Sequence, residues 1–174
     1  GYRVTTVFLT GVADSEVAVG CASDEVLFME YSSKAIRGLK LGAIRDLRKI
    51  AASRNFSFCI AHRFKPIYIA LLGTSLPVIG VHHAFDDYKR GTRKLFVSFF
   101  RKRLSLLGVS DAVRDDIRSC LPNWPAARIQ TLYNRINVQV LQGSHVSVRE
   151  ARETLGLSMD AWIIGNVGRL HPDK

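Results

Sequence analysis

Short apolar runs alternate with helical segments along most of the sequence, and this alternation constrains the fold more than any other feature. Runs rich in β-branched and aromatic residues predict strands at 2–10, 25–31, 56–61, 77–81, 105–109 and 128–132. Helical spacing or capping residues predict helices at 40–54, 66–72, 92–103 and 110–121, whereas 12–21 predicts a loop. Strands that alternate with helices favour parallel pairing. The sequence therefore predicts an α/β fold with a Rossmann-like open parallel sheet flanked by helices.

Polar side chains follow four of the predicted strands. They are His62, His83, Ser110 and Asn134. In open parallel α/β sheets, ligands bind at the carboxyl ends of the strands. We therefore expect these four residues to lie at the ligand-binding edge, with Ser110 also capping the helix that follows it.

His82 and His83 are adjacent in the sequence, but a strand directs successive side chains to opposite faces. His82 should therefore be packed or solvated on the face away from His83. Such a pair is a poor metal site, and we expect no metal ion. For His83 two interpretations are open: a hydrogen bond to a substrate in the cleft, or a strand-end histidine satisfied by the backbone.

A second unit is predicted to begin near residue 143. Ser147 and Glu150 form a capping box for a helix through residue 155, and Gly156 predicts its end. An apolar run at 162–167 then predicts a strand buried on both faces. One helix and one strand cannot bury a core. We therefore expect residues 1–142 to form one incomplete domain and residues 143–174 to be the truncated start of a second.

The predicted strand at 162–167 leads into a glycine and two cations. Gly168 lets the backbone approach another group closely, and Arg169 and Lys174 flank a turn that contains Pro172. This pattern predicts an anion site, above all for a diphosphate. The alternative is a buried strand followed by two solvated cations.

The same stretch resembles group 1 (family 4) glycosyltransferases, in which an apolar strand runs into G-R-L-x-P-x-K. The matching residues are Gly168, Arg169, Leu170, Pro172 and Lys174. The resemblance implies a two-domain enzyme of the GT-B fold that transfers a sugar from a nucleotide-sugar donor with retention, without a metal or other cofactor. It also implies that Gly168, Arg169 and Lys174 bind the donor diphosphate.

The resemblance extends over nearly the whole chain. The piece LPVIGVHH is similar to the strand that ends in a histidine beside the acceptor pocket, which implies a catalytic role for His83. LLGVSDAV and RIQTLYNRINV are similar to later strands of the same domain. His62, Ser110 and Asn134 are then the candidates for acceptor binding.

Three departures from the family pattern limit what the chain does alone. The first strand and the glycine-rich loop of the acceptor-side domain are absent. Arg135 and Asn137 stand where the family has Gly and Asp. The paired glutamates that hold the donor would lie beyond residue 174. The resemblance therefore implies that the chain is part of a glycosyltransferase and is inactive by itself.

Positive charge is concentrated in one segment of the chain. The formal net charge is +10, and residues 88–110 contain seven cations and no acid. Leu95, Phe96, Phe99 and Phe100 form an apolar stripe on the predicted helix. In one interpretation the stripe packs on the sheet and the basic side of the helix faces solvent. In the other, the basic region docks on an anionic bilayer. Both can be true together.

The charge also defines the rival function, a basic α/β module that binds anionic membranes or nucleic acid without catalysis. The sequence has no nucleic-acid-binding motif, so we expect no nucleic-acid partner. No apolar run approaches the roughly 20 residues of a membrane span. Three cysteines without metal or redox spacing predict reduced thiols in a cytoplasmic protein. We expect a cytoplasmic protein, peripheral at the inner face of the membrane.

The range of acceptors used in this family, together with the basic charge of the chain, implies a glycan or lipid-linked acceptor. The expected pathway is the synthesis of bacterial lipopolysaccharide or of another cell-envelope polysaccharide.

Overall fold

The strands of the protein pair in parallel, as the sequence predicts. A computed structural model, which describes residues 1–168, shows an α/β fold with parallel sheets flanked by helices, Rossmann-like in topology. The strands in this range are β1 (Thr5–Thr10), β2 (Glu25–Tyr31), β3 (Cys59–His62), β4 (Val78–His82), β5 (Leu104–Gly108) and β6 (Ile129–Thr131). The helices are α1 (Ser15–Gly20), α2 (Leu41–Ala52), α3 (Phe64–Gly73), α4 (Gly91–Phe99), α5 (Asp111–Cys120), α6 (Val138–Gly143) and α7 (Val148–Thr154), with a 3-10 turn at Ala126–Arg128. No helix within these residues is long and apolar enough to cross a membrane.

The strands divide between two sheets, whereas the sequence predicts a single open sheet. β1 pairs with β2, whereas β3, β4, β5 and β6 form a four-stranded sheet in that order. Each strand of the larger sheet lies parallel to the next strand along the chain. The four strands that precede the candidate site residues therefore share one sheet.

One face of the four-stranded sheet carries the main hydrophobic core. The strands contribute Ala61, Val78, Leu104, Leu106 and Ile129, and helices α3, α4 and α5 contribute Ile67, Val97, Val113 and Ile117. The opposite face is less covered, since Ile60 in β3 is 54% exposed and its strand partner Ile79 is half-buried. The sheet is therefore packed on one face, whereas the other face is exposed at Ile60 and covered again at Val81, which is 5% exposed.

Two glycines let helices lie close to this sheet. A Cβ atom at Gly80 would lie 2.5 Å from Ile67 Cδ1 in α3 and 3.2 Å from Leu106 Cδ2. A Cβ atom at Gly108 would lie 2.5 Å from the backbone nitrogen of Arg114 in α5. A side chain at either position would push a helix or its packing partner away from the strand.

The prediction of a loop at residues 12–21 is wrong, because this segment contains α1. The Asp14 carboxylate accepts hydrogen bonds from the backbone N–H groups of Glu16 (2.8 Å) and Val17 (3.2 Å), which caps the helix. The helix is only six residues long. A segment of this length is too short to show helical periodicity in its sequence.

Helix α4 does not bury the whole predicted apolar stripe. Val97 is fully buried and Phe96 and Phe100 pack against the core, but Leu95 is 75% exposed and Phe99 is 82% exposed. Because the core-facing side of α4 is centred on Val97, positions two residues before and after it face outward. Of the two alternatives, packing of the stripe on the sheet therefore holds for Phe96 and Phe100 but not for Leu95 and Phe99.

The chain has two compact units, Gly1–Asn134 and Arg135–Lys174. In the second unit, Ser147 Oγ accepts a hydrogen bond from the backbone N–H of Glu150 (3.2 Å) at the start of α7. Gly156 follows the helix with φ of 64°. The Ser147 cap and the Gly156 stop are confirmed, but within residues 1–168 the Glu150 side chain does not make the return bond of a full capping box. The domain boundary after residue 142 stays a prediction.

The predicted buried strand at 162–167 is absent from the described residues. Trp162 is 98% exposed and Ile164 is 96% exposed, and the segment pairs with no strand within residues 1–168. Arg152 of α7 instead donates to backbone carbonyl groups just before this segment, those of Met159 (2.7 Å) and Ala161 (3.2 Å) among them. An apolar run becomes a strand only beside a partner that takes its backbone hydrogen bonds. The described part of this unit offers no such partner.

Candidate functional site

The carboxyl ends of the four strands meet at one edge of the larger sheet. His62 at the end of β3 pairs with Val81 of β4, and His82 at the end of β4 pairs with Gly108 of β5. Gly108 pairs in turn with Thr131 at the end of β6. The polar residues that follow these strands therefore line one edge in chain order, where ligands bind in sheets of this type.

The structure brings two of the predicted site residues into direct contact. His62 Nδ1 and His83 Nε2 lie 2.9 Å apart, and the two imidazole rings are stacked with an interplanar angle of 26°. Because one ring must donate and the other accept, one of the two facing nitrogens carries no proton. Partial burial lowers the pKa of His62, and the neighbouring His83 acts in the same direction. The ring nitrogens that do not face each other, His62 Nε2 and His83 Nδ1, can donate a hydrogen bond to a ligand or accept one from it.

His82 lies on the other side of the strand from this pair, as the strand geometry predicts, and it is packed. Its ring is fully buried, with Nδ1 2.7 Å from Asp87 Oδ2 and Nε2 3.0 Å from Tyr88 Oη. Burial strongly raises the pKa of Tyr88, so the phenol stays protonated and donates to Nε2. His82 then donates from Nδ1 to the carboxylate, and both of its ring nitrogens are satisfied.

Arg93 completes this buried group. Its Nη1 lies 3.1 Å from Asp87 Oδ1 and donates to the Asp87 backbone oxygen at 2.9 Å, and its guanidinium lies over the Phe64 ring. Burial acts to raise the pKa of Asp87, but the hydrogen bond from His82 and the charge of Arg93 outweigh it and lower the pKa. The loop after β4, which begins with His83, is thus tied to the core by the residues that follow it. Sequence reasoning missed this group, because no periodic pattern marks a loop that folds back on a strand end.

Ser110 is the N-cap residue of α5. Its Oγ accepts a hydrogen bond from the backbone N–H of Val113 (3.3 Å), which confirms the predicted cap. The hydroxyl is therefore already engaged on one side. It keeps a proton that it can donate to a ligand at the strand edge.

Next to Ser110, the Asp111 carboxylate accepts a group of hydrogen bonds that was not predicted. Asp111 accepts hydrogen bonds from the hydroxyl groups of Thr131 and Tyr133, both at 2.6 Å, and from Arg114 Nη1 at 2.6 Å. The hydrogen bonds from Thr131 and Tyr133 hold the pKa of Asp111 below its ordinary value. The hydrogen bond between Tyr133 and Asp111 also raises the pKa of Tyr133. Asn134 follows Tyr133, is exposed, and its side chain makes no hydrogen bond within residues 1–168. Within residues 1–168, neither Ser110 nor Asn134 forms a hydrogen bond with the histidine pair.

Arg63 has an unusual backbone conformation next to His62. Its φ is 70° and its ψ is 165°, a region that is almost exclusive to glycine. Its N–H donates to the Val81 carbonyl oxygen (2.8 Å), so the strand pairing holds the backbone in place. Strain of this kind is frequent where a side chain is placed for a ligand. Nothing in the sequence identifies it, because arginine has no preference for this region.

The predicted donor-binding residues are only partly described. Gly168 is exposed and belongs to an irregular segment, and Arg169 and Lys174 lie outside the described residues. Within residues 1–168 there is no group of three or more His, Cys, Asp or Glu side chains that could hold a metal ion.

Comparisons with protein-family models, curated proteins and solved structures find no match to this chain. The functional assignment therefore rests on the residues themselves.

Proposed function

We propose that the chain is part of a retaining glycosyltransferase of the GT-B fold, containing most of the acceptor-side domain and the start of the donor domain. The enzyme would transfer a sugar from a nucleotide-sugar donor to a glycan or lipid-linked acceptor of the bacterial cell envelope, at the cytoplasmic face of the membrane. The observation that supports this proposal most is the His62–His83 pair at the carboxyl edge of a parallel sheet. The sequence motif from Gly168 to Lys174 supplies the donor side.

Sugar transfer breaks the bond between the sugar and the diphosphate and forms a bond to an acceptor hydroxyl. An exposed imidazole at the edge can hydrogen-bond the donor sugar or the acceptor hydroxyl, which is the role we propose for His83. His62 holds the His83 ring by their mutual hydrogen bond, and Ser110 and Asn134 extend the same edge for acceptor binding. The negative charge that develops on the leaving diphosphate requires cations and backbone amides, which we assign to Arg169, Lys174 and Gly168. No cofactor is required beyond the donor itself.

The test is release of nucleoside diphosphate by the full-length protein, supplied with a panel of nucleotide sugars and a membrane extract as acceptor. His83→Asn should lower kcat by about 100-fold, because a hydrogen bond to the reacting groups is lost. Arg169→Gln should lower donor affinity, measured by titration with the nucleoside diphosphate. His145→Asn is the matched control, since His145 is an exposed loop residue of the other unit and should leave both quantities unchanged.

Two outcomes would overturn the proposal. One is the absence of sugar transfer with every donor tested. The other is a His83→Asn protein that keeps full activity. In the first case the alternative is a non-catalytic basic module, which the concentration of cations at residues 88–110 also favours.

A further inference from the structure

We infer that the outward side of α4 is a docking surface for an anionic lipid bilayer. Leu95 and Phe99 are one helical turn apart and are 75% and 82% exposed. Two large apolar side chains on the same side of a helix are the kind of anchor that amphipathic segments insert at a membrane interface. The inference does not depend on sugar transfer. We refer to Leu95, Phe99, Arg101 and Lys102 as the α4 surface.

Cations accompany the apolar pair without any intervening acid. Arg101 and Lys102 lie just beyond Phe100, the C-cap residue of α4, and are exposed. Residues 88–110 contain no Asp or Glu, so no acid within this segment offsets its cations. Lysine and arginine near an anionic bilayer are attracted to its surface potential, and each contributes to binding.

The positive region continues onto the neighbouring helices. Lys40, just before α2, lies with its Nζ 4.6 Å from the centroid of the Tyr68 ring, and Tyr68 packs on Phe96 of α4 with ring centroids 4.8 Å apart. Burial lowers the pKa of Lys40, and the charges of Lys65 and Arg93 act in the same direction. Lys40 and Lys65 therefore lie in one region of the unit with Arg93, whose charge Asp87 offsets.

An anionic bilayer fits this combination better than a nucleic acid does. Single-stranded nucleic acids need aromatic faces on which bases stack, whereas Leu95 has none and the Phe99 ring meets Phe100 at 84° with centroids 5.0 Å apart. A bilayer accepts both aliphatic and aromatic side chains below its headgroups, and its phosphates attract the adjacent cations. Of the possible anionic partners, only the bilayer uses both the apolar pair and the charge.

The experiment is co-sedimentation of the protein with vesicles of phosphatidylcholine, with and without phosphatidylglycerol. We expect binding only to vesicles that contain phosphatidylglycerol, with the bound fraction falling as salt is raised. Leu95→Ser with Phe99→Ser should weaken the partition coefficient by about tenfold or more, since both side chains leave water on docking. Arg101→Gln with Lys102→Gln should reduce the preference for anionic vesicles. Phe99→Trp should give a blue-shifted emission on addition of the anionic vesicles.

A matched control and a competing ligand keep the test decisive. Val12→Ser with Val19→Ser removes two other exposed apolar side chains and should leave vesicle binding unchanged. All the substituted positions are exposed, and thermal unfolding should confirm that each variant is folded. Equal binding by the Leu95→Ser, Phe99→Ser variant, or equal binding to vesicles without anionic lipid, would overturn the inference. Binding of a single-stranded oligonucleotide at physiological salt, without binding to vesicles, would instead assign the surface to nucleic acid.

Discussion

Removing the Asp87 carboxylate should destabilise the protein through two groups at once. The carboxylate accepts from the fully buried His82 ring (2.7 Å) and pairs with Arg93 (3.1 Å), and its own side chain is only 22% exposed. In Asp87→Ala, the His82 Nδ1–H has no acceptor and the Arg93 charge has no partner. Asp87→Asn is the matched variant, because it keeps one oxygen acceptor in the same shape, replaces the other oxygen with an NH2 donor and removes the charge.

The expected loss follows from the kinds of contact that are removed. A hydrogen bond to a charged group contributes about 1.5–3 kcal/mol, and a buried donor left without a partner costs about 1–3 kcal/mol. Because Asp87 is partly solvated, we expect Asp87→Ala to lower the free energy of unfolding by about 2–4 kcal/mol and Asp87→Asn by about half as much. Urea unfolding followed by circular dichroism measures both values.

The pH dependence gives an independent check. The folded-state pKa of Asp87 is lowered, so its stabilising contribution is complete above the unfolded pKa of about 3.9 and is lost as the pH falls through the lower folded-state pKa. The stability difference between the wild type and Asp87→Asn should therefore be largest near neutral pH and shrink below about pH 4. A loss below about 1 kcal/mol for Asp87→Ala, or a difference that does not change with pH, would refute the reasoning.

Three further predictions concern the sheet and its edge. Gly80→Ala should cost about 1–3 kcal/mol, because its Cβ would meet Ile67 Cδ1, and adding Ile67→Val should recover part of this loss in urea unfolding. Arg63→Gly should raise the free energy of unfolding by about 1 kcal/mol, because relief of backbone strain exceeds the entropic cost of glycine. His62 should titrate below an ordinary histidine in an NMR pH titration, and His83→Asn should move its pKa only part of the way back, because burial is the larger cause.

Arg63→Gly has a matched control within the chain, and each of the three predictions has an outcome that would contradict it. Lys49→Gly, in the exposed part of α2, should lower stability by about 1 kcal/mol, opposite in sign to Arg63→Gly. If both glycine substitutions destabilise equally, Arg63 is not strained. If Gly80→Ala is neutral, α3 does not lie as close to β4 as described. An ordinary or raised pKa for His62 would contradict its partial burial.

Most of the regular structure between residues 25 and 132 follows from local sequence signals. β-branched runs identified the strands, and Ser110 identified the start of α5, because these preferences act on the backbone of the segment itself. The positions of His62 and His83 at the carboxyl edge also follow, since parallel pairing fixes which end of each strand is shared. Their direct hydrogen bond does not follow, because it depends on the register between β3 and β4.

The errors arise where structure depends on contacts outside the segment. The run at 162–167 is apolar enough for a buried strand, but composition does not supply a neighbouring strand. Leu95 and Phe99 belong to an apolar stripe, yet only the position of α4 on the sheet decides which of its residues are covered. The buried contacts of Asp87 and the backbone of Arg63 likewise have no signature in the sequence.

The exposed part of the second sheet face has a practical consequence in solution. Ile60, which is 54% exposed, and the half-buried Ile79 lie side by side on paired strands, and Ile60 is on the same face of β3 as His62. Such an apolar strip gathers dyes, detergent monomers and other copies of the chain as concentration rises. If the protein is purified in detergent, detergent molecules would bind beside His62. A lower apparent affinity for ligand would then be caused by the bound detergent and not by the histidine side chains.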